Sequence, residues 1–198
     1  YGRSRRVSHI AFLYDHVLDI GGAENHILSL IRCLSGGEFR FSIISRASTG
    51  FTERASQLGA NVFTQPARRP LNPAWIFDLT RRIKAQRIDL LHIHGTIAAT
   101  PGRIAAWLAG IPAAVTFHIP ASRYHGTLHT PRARAGRALY VAVDRWLNHH
   151  TPGPLIYVSQ TYRQEEIRAG RVSETRSVYI PNGIDLNAYT LPPVSRPP

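Results

Sequence analysis

Short apolar runs recur along the chain, each separated from the next by a stretch whose apolar residues repeat at helical spacing. This alternation constrains the fold more than any other feature. The strand-like runs fall at 9–14, 41–44, 61–64, 90–94, 113–117, 155–158 and 177–180. The first, His9-Ile10-Ala11-Phe12-Leu13-Tyr14, is apolar on both sides, as an internal parallel strand requires. Between the runs lie helical patterns. Ile27, Leu28, Ile31 and Leu34 mark one over 23–34, and a short one over 52–58 ends at Gly59. Asn72 caps a third, with Pro73 in its first turn and Ile76, Leu79 and Ile83 on one face. Thr100-Pro101 reads as the opening of a fourth that Gly110 and Pro112 close, 133–147 as a fifth, and Ser159 caps a sixth reaching about residue 169. Strands regularly separated by helices predict a Rossmann-like three-layer α/β/α sandwich with a mostly parallel sheet.

The chain has 198 residues, 43% of them apolar, enough for one α/β domain with a full core. No apolar run approaches the ~20 residues that cross a bilayer. The first residues lack the pattern of a secretory signal, and the absence of methionine reads as a processed or trimmed chain. Cys33 is the only cysteine, which excludes an internal disulfide and a cysteine-based zinc site and fits a reducing, cytoplasmic setting. The net charge is +12, nearly all of it arginine, since Lys84 is the only lysine. A positive surface of this kind serves nucleic acid, anionic lipid or a phosphorylated substrate, and a GC-rich genome's use of arginine produces it equally. Nucleic acid is not expected, because there is no helix-turn-helix, zinc or RNP-type signature and the aromatics are not interleaved with the arginines.

In a sheet of this type ligands gather at the carboxyl ends of the strands. Gly21-Gly22-Ala23-Glu24 follows the first strand and opens the first helix. Two glycines let the backbone approach a ligand, and a helix N-terminus offers free N–H groups to phosphate. A tight turn accounts for the glycines equally well; the pattern is not G-x-G-x-x-G, so a nicotinamide or flavin is not favoured. In His92-Ile93-His94-Gly95-Thr96, alternation puts both histidines on one face. A metal pair lacks a visible third ligand, so His92 reads as a packed, hydrogen-bonded residue, with His94, Gly95 and Thr96 lining a cleft. His118 closes the fifth strand, where an imidazole can donate or accept a proton near neutral pH. The polar, basic stretch after it, with Arg123, Tyr124, His125 and His129, reads as an acceptor-side loop. Asn182-Gly183 reads as a turn of positive φ at a domain boundary. Leu139, Tyr140, Val143, Trp146 and Leu147 form an apolar stripe flanked by Arg132, Arg134, Arg137 and Arg145. It fits packing on a sheet, and it also fits a basic membrane surface.

Gly21-Gly22-Ala23-Glu24-Asn25-His26, residues 90–96, residues 110–118, Tyr157-Val158-Ser159 and residues 180–185 occur in an order that resembles the N-terminal domain of family-4 glycosyltransferases of the GT-B fold. The likeness covers about residues 7–185. It implies that residues 1–187 form the acceptor-side domain and that the proline-rich 188–198 is a linker towards a second domain. It further implies sugar transfer with retention from a nucleotide-sugar donor to a glycan, lipid-linked or small-molecule acceptor, without metal or other cofactor. By the same resemblance Gly21 and Gly22 approach the donor diphosphate, and His118 lies beside the reacting sugar. Glu24, His94, Gly95, Thr96, Arg123, Tyr124, Asn182 and Gly183 then belong to the acceptor side or the cleft. Asn25 stands where other members have a basic residue. The second domain carries most of the donor site, so this half alone is expected to be inactive, in the cytoplasm or peripherally on an anionic membrane. Two alternatives stay open: half of a nucleotide-sugar epimerase or phosphorylase, and a non-enzymatic basic module for lipid or nucleic acid.

Overall fold

The computed structural model describes residues 7–14, 21–65, 71–119 and 131–183; for 131–134 and 137 it describes the backbone only. Arg123, Tyr124, the proposed linker and the side chains of Arg132, Arg134 and Arg137 lie outside the described residues. Seven strands form one sheet: β1 Ser8–Tyr14, β2 Phe39–Ser45, β3 Asn61–Thr64, β4 Leu90–His94, β5 Ala113–Phe117, β6 Leu155–Tyr157 and β7 Ser177–Tyr179. Their order is β3-β2-β1-β4-β5-β6-β7, and every neighbouring pair is parallel. Six α-helices connect them: α1 Gly22–Leu34, α2 Gly50–Gln57, α3 Pro73–Ala85, α4 Thr96–Ala109, α5 Pro131–His150 and α6 Gln160–Arg168.

Alternation along β1 feeds two cores. Ala11 and Leu13 pack with Leu91, Ile93 and Val115 under α3 and α4, while Phe12 and Tyr14 pack with Phe41 and Ile43 under α1 and α2. The chain winds outward from β1 to β3, then crosses back to lay β4 on the other side of β1. Two successive connections therefore leave in opposite directions at the carboxyl ends of β1 and β4, which opens a crevice there.

Caps behave as the sequence predicts at α3, where Asn72 Oδ1 accepts from the Ala74 N–H at 3.0 Å. Gly59 and Gly110 end their helices with φ of +87° and +75°. Two expectations are corrected. Helix α4 begins at Thr96, not at Thr100, and Pro101 lies inside it. Burial of residues 98–103 holds that turn against the sheet, and Gly102 lets it approach so closely that a Cβ there would stand 2.7 Å from Ile93 Cδ1. The stripe on α5 is also not one buried face. Leu147 is buried, but Leu139 and Trp146 are 59% and 56% exposed. The inward side of α5 is partly polar: Tyr140 donates to the Thr96 carbonyl at 2.7 Å, and Asp144 and Asn148 receive the guanidinium of buried Arg103.

Candidate functional site at the crevice

The crevice is built from the ends of β1, β4 and β5 and the start of α1. At the end of β1, the Tyr14 hydroxyl donates to Glu24 Oε1 at 2.5 Å, and the Gly21 N–H donates to Glu24 Oε2 at 3.0 Å. Glu24, 3% exposed, thus spends both oxygens bracing the glycine turn against the strand. Neither glycine adopts positive φ: Gly21 has φ −108°, and Gly22 is absent from the left-handed glycines among the described residues. A Cβ added to Gly22 would meet nothing within 4 Å. Neither a left-handed turn nor packing against the described residues therefore demands glycine at position 22. What it leaves is open backbone at a helix N-terminus.

Behind the turn lie four imidazoles. Leu91 and Ile93 serve the core under α4, so alternation sends His92 and His94 to the α1 face, where Phe12 packs tilted against both, with ring centroids at 5.4 and 5.7 Å. His92 Nε2 meets Thr116 Oγ1 at 2.8 Å, a packed, hydrogen-bonded histidine as its sequence position predicts. His94, 1% exposed, places Nδ1 3.0 Å from Nε2 of His118, and the two rings stack at 5.3 Å. His26 descends from α1 to bring its ring 5.8 Å from both.

Burial, and then the charge of neighbouring rings, lowers the pKa of His92 and of His118 to about 4. Burial pushes His94 well below its ordinary value and lowers His26 as well. At neutral pH the cluster is uncharged, and each ring offers one N–H and one lone pair. A neutral His118 serves better to orient a hydroxyl by hydrogen bonding than to hold a proton. Among the described residues no group of three or more His, Cys, Asp or Glu side chains could hold a metal ion.

Gly95 ends β4 with φ +92° and ψ 165°, a conformation almost confined to glycine. Thr96 is buried, its Oγ1 without a hydrogen-bond partner among the described residues. Gly21, Gly22, Glu24, His94 and His118 thus come together through His26, with Gly95 next to His94 in the chain, whereas Thr96 lines a small cavity on the α5 side with Tyr140 and Asp144. Asn182 and Gly183 do not join them: both are exposed beyond β7, at the far edge of the sheet, and neither has positive φ, contrary to the predicted turn. Tyr14 and His26 were not singled out from sequence. The available signal was helical phase, since His26 lies one turn after Gly22 on the same side of α1.

The sequence profile of Glycosyltransferase Family 4 matches residues 20–188. The chain belongs to glycosyltransferase family 4. No curated protein sequence matches this family-4 domain. Among solved structures it is similar to Alr3699/HepE of Anabaena in complex with UDP, at 22% identity and a TM-score of 0.72, over 93% of this chain and 46% of that one. It is similar to a glycosyltransferase of Rickettsia africae at 17% identity and a TM-score of 0.70, over 94% and 46%. The UDP-GlcNAc 2-epimerase of Neisseria meningitidis matches at 10% identity and a TM-score of 0.51, over 88% and 47%. At these identities the likeness is one of fold, the Rossmann-like architecture of GT-B enzymes. The family-4 domain spans slightly under half the length of these structures. None of its described helices is long and apolar enough to cross a membrane.

Proposed function

We propose that this domain is the acceptor-side half of a retaining, metal-independent glycosyltransferase that moves a sugar from a nucleoside-diphosphate donor to a glycan, lipid-linked or small-molecule acceptor. One observation carries the reading. His26, one turn into the helix that Gly22 opens, brings its ring 5.8 Å from His118, so the glycine turn and the histidine closing β5 belong to a single crevice. A diphosphate at the N-terminus of α1 would then lie beside the histidine that meets the sugar. The Anabaena structures hold UDP and UDP-glucose, which supports a nucleotide-sugar donor here. An epimerase of similar fold has no comparable support from the family match.

Because the domain covers under half of the Anabaena and Rickettsia structures, we assign the remaining donor contacts to a second domain, reached through residues 188–198. Groups that neutralise the leaving diphosphate supply the largest share of such catalysis, so the half alone should turn over negligibly. Leu139 and Trp146, exposed beside Arg145 on α5, support peripheral contact with an anionic membrane on the cytoplasmic side. Co-sedimentation with anionic but not neutral vesicles is expected; equal binding to both, or to neither, removes that part. The central test is sugar transfer by the two-domain protein. His118→Ala should lower turnover about 10²–10³-fold with the melting temperature retained. Undiminished transfer by that variant, or full transfer by the half alone, would overturn the proposal.

A further inference from the structure

We propose that His94 is a positioning residue that sets the tautomer of His118: the His94 Nδ1–H donates to His118 Nε2, which leaves the His118 proton on Nδ1. The free nitrogen of His118 is then an N–H donor rather than a bare lone pair. The consequence for transfer rests on the function proposed above; the tautomer itself does not.

Two neutral imidazoles whose nitrogens stand 3.0 Å apart have two ways to share one hydrogen bond. Either His94 Nδ1 donates, or His118 Nε2 does. The choice decides what the other nitrogen of His94 must be. If His118 donates, His94 accepts at Nδ1 and carries its own proton on Nε2. That nitrogen is buried and has no hydrogen-bond partner among the described residues. The rings packed on the His94 ring are Phe12, His92 and His26, with centroids 5.7, 4.3 and 5.8 Å from its own, and His92 already uses its Nε2 on Thr116. A buried N–H would therefore be orphaned. If His94 donates, Nε2 carries only a lone pair, and an unmet buried acceptor is commoner than an unmet buried donor.

Free imidazole prefers the proton on Nε2, so this arrangement runs against the intrinsic preference of both rings. Burial of His94 is what reverses it. The same burial keeps the pair uncharged at neutral pH, so no shared extra proton blurs the choice. It also gives the proposal an uncommon signature: two adjacent histidines that both carry hydrogen on Nδ1.

Long-range proton–nitrogen spectra of the ¹⁵N-histidine-labelled protein at neutral pH separate protonated from bare ring nitrogens. The wild type should show His118 protonated on Nδ1 and bare on Nε2, and His94 likewise. H94L removes the donor and should move the His118 proton to Nε2. H94N, whose amide N–H₂ reaches the neighbourhood of Nδ1, should return it to Nδ1. A wild-type His118 protonated on Nε2 overturns the assignment without need of any variant, and so does a His118 tautomer that H94L leaves unchanged. The proposed function fails separately: transfer that stays at the wild-type rate while H94L reverses the tautomer would count against His118 meeting the sugar and leave the tautomer assignment standing.

Discussion

Arg103 and His94 are almost equally buried, at 2% and 1% exposure, and their surroundings differ in kind. Arg103 Nε donates to the Ala99 carbonyl at 3.1 Å, and its terminal nitrogens reach Asp144 and Asn148. Asp144 also accepts from Thr100 at 2.6 Å, and Asn148 donates to the Arg171 carbonyl at 3.0 Å. This network closes on itself and ties α4, α5 and the segment after α6 together. The histidine cluster does not close. It leaves His94 Nε2 without a partner among the described residues, and its rings depress one another's proton affinity. The comparison teaches that burial alone does not mark a functional site here. A polar cluster whose partners satisfy one another is scaffold; one left incompletely satisfied at the switch point of the sheet is the candidate site.

The strongest way to break that contrast is to remove one member of each cluster. Arg103→Ala strands the Asp144 carboxylate and should cost about 3–5 kcal/mol in urea unfolding, while Arg103→Met with Asp144→Leu recovers much of the loss. His94→Leu removes a group whose Nε2 already lacks a partner and should stay within about 1 kcal/mol of wild type. Equal losses from Arg103→Ala and His94→Leu would erase the distinction.

Acid should act on the histidine cluster. The folded state holds His92 and His118 at about 4, against an ordinary value of 6.5. Between those limits the unfolded chain binds more protons, so stability falls as the pH drops from about 6.5 to about 4 and is insensitive to these rings above that window. The expected loss is about 3 kcal/mol for each of the two rings, read from urea midpoints at stepped pH. A flat profile would show that the rings are not held uncharged. Gly95→Ala, at φ +92° and ψ 165°, should cost about 1–3 kcal/mol by thermal unfolding. Gly22→Ala is the smallest effect: with nothing within 4 Å of the added Cβ, stability should hold or rise by up to about 1 kcal/mol, while UDP affinity drops. Unchanged affinity would remove Gly22 from the donor-facing wall.

Much of this was legible in the chain itself. The strands were readable because internal parallel strands are apolar on both faces, and Asn72, Gly59 and Gly110 announce their helix ends by local chemistry. The start of α4 was not readable. Proline favours a helix's first turn, but close packing around Gly102 overrides that preference at Pro101. The stripe on α5 misleads for a related reason, since Asp144 and Asn148 turn inward to a buried arginine that no spacing reveals. At the site, β4 alternation foretold the shared face of His92 and His94. The meeting of His94 with His118 depends on the pairing of β4 with β5, a contact between residues 24 apart in sequence, and His26 on the placement of a helix above both.

Titration of isotope-labelled protein with UDP, followed by amide and imidazole shifts, tests most directly whether the carboxyl ends of β1, β4 and β5 form the donor-facing wall. Shifts concentrated at Gly21, Gly22, Gly95 and the His118 ring are the predicted result. No response there, or shifts centred instead on the opposite groove beside Arg103, Trp107 and Pro112, would contradict it.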